Sequence, residues 1–372
     1  VIWSNSGGVV GLTVGGRHYG IFGPTGSTWS GTTTLLSTLN GKDFFSVALL
    51  PDNTPATLEF YRKRAYAFVT DSRVSWSYDN QNAKVNTTFT LITTLKDSTA
   101  GNLNNTLTAL YRHQMLNTDA TLESYEYVSV RGKMKIYDGN TFSTRHEFNG
   151  ILPALPDEGV YNPALLGQYI DTVAMENLSP GPIYENGKYL ARFAHLIRIA
   201  DQLGKTTARD HFIAQVKARL EAWLTVGGGA EMSYIQAWNT ISAYPSGYGA
   251  DNQLNDHNFH YGYLIMAAAM VAQYDPVWAS ESNWGGMINL LIKDCVNWDR
   301  NDRRFPYLRS FDPYEGHSWE AGHGDFGDGN NEESSSESMN FSSAVTLWGS
   351  ATLNDTLRDL GIYLYATERS AI

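Results

Sequence analysis

The chain has 372 residues, a formal net charge of −11 and a pI near 5.3, and is long enough for two domains. Its 42% hydrophobic and 17% charged residues describe a folded globular protein, and the acidic balance argues against nucleic acid or an anionic membrane as partner. No apolar run approaches the roughly 20 residues of a membrane span, and a monomer is expected.

Residues 1–151 read as strands. "VNTTFTLITTL" (Val85 to Leu95) is rich in Thr and branched apolar residues. "YVSVRGKMKIYDGN" alternates Val128, Val130, Met134 and Ile136 and ends in a turn at Asp138-Gly139-Asn140. An antiparallel β-sandwich is expected here. Residues 152–183, spaced by Pro and Gly, read as a connecting region. Beyond Tyr184 the period becomes helical: Leu190, Phe193, Ile197 and Ala200, then Ile213, Val216, Leu220 and Trp223, each mark one face. Phe259 to Tyr274, Met287 to Trp298, Glu332 to Trp348 and Leu353 to Tyr365 give four more helical runs. Residues 184–372 are therefore expected to be a helical domain with function on its loops.

Aromatic residues make up 13% of the chain, as ten Trp, 22 Tyr and 15 Phe. They fill large cores or serve as platforms for flat ligands such as pyranose rings. The one cysteine, Cys295, lies in an apolar run and reads as a packing residue. Asn-x-Ser/Thr sites at Asn86, Asn104, Asn177, Asn340 and Asn354 permit secretion, so an extracellular or cell-wall location is expected.

Two stretches carry candidate chemistry. In "LNDHNFHYGYLIMAAAMVA", Asp256 precedes an apolar helix, where capping alone would explain it. His257, His260, Tyr261 and Tyr263 then follow within two turns, more polar density than a cap requires. In "DGNNEESSSESMN", a helix capped near Asn330 would put Glu333 in its first turn and Glu337 one turn later on the same face. Like charges at that spacing cost a few tenths of a kcal/mol, about the opposite of what helix stability selects. An exposed acidic face is the plain alternative. Together these stretches supply the carboxyl pair that glycoside hydrolysis needs, one to protonate the leaving oxygen and one to activate water or attack. A polysaccharide lyase would instead take a His or Tyr base from "HNFHYGY". No HExxH pattern, nucleophile elbow or phosphate loop is present, so neither metal nor cofactor is expected.

At these residues the sequence resembles glycoside hydrolase family 81, the endo-β-1,3-glucanases. The resemblance rests on "RHYGIFGPTGSTW", "FFSVALLPD", "RGKMKIYDGNTFST", "YPSGYGADNQLNDHNFHYGY", "RSFDPYEGHSWEAG" and "DGNNEESSSESMN", in order along nearly the whole chain. It implies an N-terminal β-sandwich, a C-terminal (α/α)6 barrel, and inverting endo-hydrolysis of β-1,3-glucans such as laminarin or curdlan without a cofactor. By the motif matches, Asp256 is the general acid, Glu337 the first choice for general base and Glu333 a neighbouring essential carboxylate. Inversion asks for roughly 6.5 to 9.5 Å between acid and base. Trp238, Tyr244, Tyr248 and Trp319 are expected to stack on sugar rings, and His260, Asp312 and His317 to bond sugar hydroxyls or tune the acid. The chain departs from the family pattern at Asn258, where His is usual, and at Ile235 and Gln236, where an acidic and a basic residue precede the tryptophan. About six helices follow Tyr184 where such a barrel needs twelve, so the chain reads as a fragment or a shortened relative. A non-catalytic glucan-binding protein is the alternative that shortening favours.

Overall fold

The computed structural model describes residues 1–372 except 322, 325, 326, 328 and 329. Gly322, which closes the Trp319 motif, and Asp328 and Gly329, which open the acidic motif, thus lie outside the described residues. The chain divides into two compact units, Val1–Trp76 with Asn86–Arg145, and Ser77–Val85 with His146–Ile372.

The first unit is built from hairpins. β1 (Ile2–Ser6), β2 (Val9–Val14), β3 (Arg17–Phe22) and β4 (Ser46–Leu50) form an antiparallel sheet in that order. Its first two turns, Gly7-Gly8 and Gly15-Gly16, hold all four residues at positive φ, which suits a two-residue loop between twisted strands. α1 (Pro55–Arg62) begins where the Thr54 side chain accepts the Thr57 N–H. Leu58 and Tyr61 from this helix join Val9, Phe22, Leu50 and Tyr66 in the core. Each side chain so buried contributes about 1.5–3 kcal/mol. β5 (Ala67–Asp79), β6 (Lys84–Leu95), β7 (Leu107–Leu110), α2 (Arg112–Leu116), β8 (Leu122–Ser129), β9 (Gly132–Asp138) and β10 (Thr141–Glu147) follow. Their strands form two sheets, ordered β10-β6-β5 and β7-β9-β8. The run expected to alternate from Val128 to Ile136 is in fact a hairpin. Ser129 pairs with Gly132, so Val130 falls in the turn and is fully exposed.

The second unit is helical. α3 (Pro163–Val173) lies inside the stretch read as a connector, capped by the Asn162 side chain on the Leu165 N–H. The six helices expected beyond Tyr184 are α4 (Ile183–Gln202), α5 (Thr206–Trp223), α7 (His257–Ala272), α8 (Gly286–Val296), α9 (Ser335–Ala351) and α10 (Asp355–Ala371), with a short α6 (Ala250–Gln253) before α7. Two hairpins interrupt them: β11 (Glu231–Ile235) with β12 (Thr240–Tyr244), and β13 (Phe311–Asp312) with β14 (His317–Ser318).

α7 is the centre of this unit. Every one of its residues except Tyr263 is buried. Such a helix, apolar nearly all round, needs neighbours on every side; α4, α5, α8 and α9 provide them, and α10 packs on α9. A Cβ on Gly262 would lie 3.0 Å from the Phe341 Cβ, so α7 and α9 meet closely at a glycine. On α9, Ser338 and Ser342 are buried, as small residues at a tight helix contact should be. Cys295 is a buried free thiol. No described helix is long and apolar enough to cross a membrane.

Candidate active site

The mouth of α7 is held by a buried charge cluster. Asp294, on α8 and fully buried, accepts from Thr240 Oγ1 (2.7 Å), the Ile241 N–H (2.8 Å) and Arg309 Nη2 (2.6 Å). His257 Nδ1 sits 2.9 Å from its Oδ2, and the other ring nitrogen lies 3.2 Å from the Ala250 carbonyl. Burial alone would raise the Asp294 pKa, but Arg309, His257 and the backbone N–H hold it at about 2. One buried carboxylate thus ties β12 and α8 to the first residue of α7.

Asp256 precedes that residue in the left-handed conformation, at φ 60°, which Asp tolerates better than most side chains. Its N–H donates to the Glu320 carbonyl (2.9 Å) and its carbonyl accepts from the His260 N–H (2.8 Å). Its side chain makes no capping bond. Capping, the plain explanation for this residue, is therefore not its role. The carboxyl is buried instead. Oδ2 accepts from Asn255 Nδ2 (2.8 Å), while Oδ1 has no hydrogen-bond partner among the described residues. Glu320 and Glu333 each bring an oxygen into a group with Asp256 in which all lie within 4.8 Å of one another. Burial, then the charges of Glu320, Glu333 and Glu337, push the Asp256 pKa up to about 7. A proton on Asp256 relieves this crowding; three carboxylate oxygens so spaced could also hold a cation.

The acidic stretch corrects one expectation. α9 begins at Ser335, and the Ser334 hydroxyl caps it by accepting the Glu337 N–H at 3.4 Å. Glu333 therefore precedes the helix, exposed and in a loop, and does not share a helical face with Glu337. Asn330, Asn331 and the serines from Ser334 are all candidate caps, and the one used, Ser334, places only Glu337 in the first turn. Glu337 Oε1 accepts a 2.6 Å hydrogen bond from Tyr263, the one α7 residue that is not buried. Burial, with that bond, pushes the Tyr263 pKa far up, so its proton stays in place.

Beside Tyr263 lies an aromatic group. Tyr184 has its ring centroid 5.1 Å from Tyr248, 5.3 Å from His260 and 6.2 Å from Tyr263. Tyr248 is 68% exposed, whereas His260 is buried and burial lowers its pKa to about 3. His260, expected to bond sugar hydroxyls, is thus a neutral ring packed among tyrosines. Lys188 Nζ donates to Tyr184 Oη at 3.2 Å, and its pKa is raised by that bond, with Glu337 adding to it.

The remaining predicted residues sit on the two hairpins. Trp238 lies between β11 and β12, half exposed, and Tyr244 ends β12. Asp312 and His317 face each other across β13 and β14, with the His317 ring 4.7 Å from Trp319. Asp312 Oδ1 accepts the backbone N–H groups of Tyr314 and Glu315, so much of its hydrogen-bonding capacity serves its own turn. Trp319 adjoins Glu320 in sequence. Sequence reasoning missed Glu320 and Tyr184, and named Tyr263 without giving it a role. Tyr263 carried a signal, since it falls seven residues after Asp256, two helical turns further on.

A central buried helix with a carboxyl of raised pKa at its mouth, faced by further carboxylates and aromatic rings, has the parts of an acid–base site. A sequence model of the Glycosyl hydrolase family 81 C-terminal domain matches residues 167–372. The chain is 48% identical over its full length to a glucan endo-1,3-beta-D-glucosidase of Acetivibrio thermocellus and 41% identical to one of Thermobifida fusca, covering 49% of each. A solved structure of a mutant glycoside hydrolase family 81 protein from Clostridium thermocellum superposes with a TM-score of 0.95 at 47% identity, over 99% of this chain and 52% of that one. The chain belongs to glycoside hydrolase family 81. It spans about half the length of the curated relatives it matches.

Proposed function

We propose that this chain is an endo-acting hydrolase of β-1,3-glucans that inverts configuration, with Asp256 as general acid and Glu337 as general base. The observation that carries the reading is the Asp256 carboxyl: burial and three neighbouring negative charges push it to about 7, and its Oδ1 is left free to hold the proton. That proton would pass to a glycosidic oxygen as its bond to the anomeric carbon breaks.

The position of Glu333 bears on the choice of base. With an oxygen within 4.8 Å of Asp256, it leaves no room for the water that an inverting pair must enclose. Its role, shared with Glu320, is to keep Asp256 protonated by repulsion. Glu337 lies outside that close group, and its charge acts on Asp256 less than theirs do. Tyr263 fixes one of its oxygens, so the other can accept a proton from water. Tyr248 and Trp238, both well exposed, are the stacking platforms. The names of the relatives support glucan as the substrate. The family architecture goes with this reading: the sheets form the sandwich, and the six long helices belong to an (α/α)6 barrel. The lyase reading loses support because His260 and Tyr261 are buried and the Tyr261 hydroxyl donates to the Ile241 carbonyl.

Incubation with laminarin, followed by reducing-end release and proton NMR of the first products, tests the proposal. The expected products are α-anomers. Asp256→Asn, which also tolerates the left-handed backbone, and Glu337→Gln should each lose nearly all hydrolysis while folding normally. β-Anomers would instead make Glu333 a nucleophile, and binding without hydrolysis would leave a glucan-binding protein.

A further inference from the structure

A second, buried layer of polar groups lies under the carboxylates. Ser318 Oγ donates to Glu332 Oε2 (2.6 Å) and accepts from Asn258 Nδ2 (3.2 Å). Ser338 Oγ donates to Glu368 Oε2 (2.8 Å). The chain order of this layer is informative. Asn258 follows Asp256 by two residues, Ser318 precedes Glu320 by two, Glu332 precedes Glu333 by one, and Ser338 follows Glu337 by one. Each carboxylate around the site thus has a member of this layer within two residues, and α10 contributes Glu368 to it.

Glu368 is fully buried and borders a small cavity with Asn258, Ser318, Ser338 and Ser342. Its Oε1 and Glu332 Oε1 have no hydrogen-bond partner among the described residues. No cation pairs with either among those residues. Burial, with the charge of Glu332 adding to it, pushes Glu368 up to about 8, and burial pushes Glu332 to about 7. Near neutral pH Glu368 is therefore an uncharged acid between two helices, and its unpartnered Oε1 carries a cost that packing alone would not select. Packing between α9 and α10 does not call for it. Its bond to Ser338 and its place beside Ser318 in that cavity set it between α9 and β14.

We propose that Glu368 is a positioning residue for this site: its bond to Ser338 and its packing beside Ser318 set the gap between Glu337 on one side and Asp256 with Glu320 on the other. This rests on the acid and base roles proposed above. A displacement on the order of 1 Å in such a gap costs about 100-fold in rate. The test compares the wild-type chain with Glu368→Leu, Glu368→Gln and Ser338→Ala at pH 6, reading laminarin kcat and KM, the urea midpoint, and the carbon-13 titration of the Asp256 carboxyl. Glu368→Leu should lower kcat by about 10- to 100-fold with KM within about twofold. Glu368→Gln, which keeps the acceptor oxygen, should recover most of it. Ser338→Ala, which cuts one bond with little change in volume, should lower kcat in the same sense, and decides the matter if the leucine variant does not fold. Wild-type kcat in both Glu368→Leu and Ser338→Ala, or a loss that follows KM, overturns the inference. An inactive wild-type chain overturns the parent reading instead; the inference then stands or falls on the Asp256 titration. That midpoint should move by about half a unit or more in Glu368→Leu and stay put in Glu368→Gln, and an unmoved midpoint in the leucine variant overturns it.

Discussion

At the scale of single residues, the site depends on where one proton resides. Asp256 keeps it because its carboxyl is buried and faces Glu320, Glu333 and Glu337, in that order of influence. Loss of a proton from a group at about 7 predicts that kcat/KM falls above pH 7, approaching about tenfold per unit. Glu320→Gln removes the strongest of the three charges without emptying its place. The alkaline limb should then move down by about half a unit or more, with the rate at pH 5 little changed. A limb that stays at the same pH would show that burial alone holds the proton. Tyr263→Phe is the matching test on the base. It deletes the 2.6 Å bond to Glu337 and leaves the ring in place, so kcat should fall about tenfold while KM holds.

At the scale of elements, the start of α9 decides what Glu337 can do. The Ser334 hydroxyl bonds the Glu337 backbone N–H, so one contact both begins the helix and fixes the base. Ser334→Ala should cost about 1 kcal/mol, read from the urea midpoint, and should lower kcat as well. Ser334→Asn, an equally good cap, should restore both; a stability loss with unchanged kcat would separate the cap from the base. The six helices expected beyond Tyr184 were legible because their apolar spacing is imposed by burial, and α7 was found to within two residues for that reason. The start of α9 was not, since Asn330, Asn331, Ser334 and Ser335 are chemically interchangeable caps and only tertiary contacts choose among them. The hairpin at Val130 was hidden for a related reason. Alternation continues through a two-residue turn, so period alone does not show it. Asp256 and Glu337, the acid and base proposed here, were singled out by their motifs. Glu320 and Glu368 become visible only when distant segments meet, as does Asp294, an acidic residue in an apolar run.

At the scale of the molecule, the buried titratable groups of the helical unit predict how its stability varies with pH. Asp256 and Glu332 are raised to about 7 and Glu368 to about 8, so the folded chain keeps three protons that the unfolded chain gives up near pH 4. Their contribution is fully present at low pH and is lost as pH rises toward 7 and 8. His146, lowered to about 4 by burial and by Arg369, and His260, lowered to about 3 by burial and by His257, act in the opposite sense. They stay neutral in the fold, so their contribution is complete above the unfolded value near 6.5 and is lost as pH falls below it. Below pH 6.5 the two sets oppose each other. Above it only the carboxyls still act, and each retained proton sets a slope of about 1.4 kcal/mol per pH unit. The urea midpoint of the helical unit should therefore fall between pH 6.5 and 8 and level off beyond. Glu368→Gln has no proton to lose there, so most of the fall between pH 7 and 8 should vanish in that variant. A wild-type midpoint that stays flat or rises over this window would mean that these carboxyls are already ionised in the fold, and would remove the neutral acid at Glu368 along with the proton on Asp256.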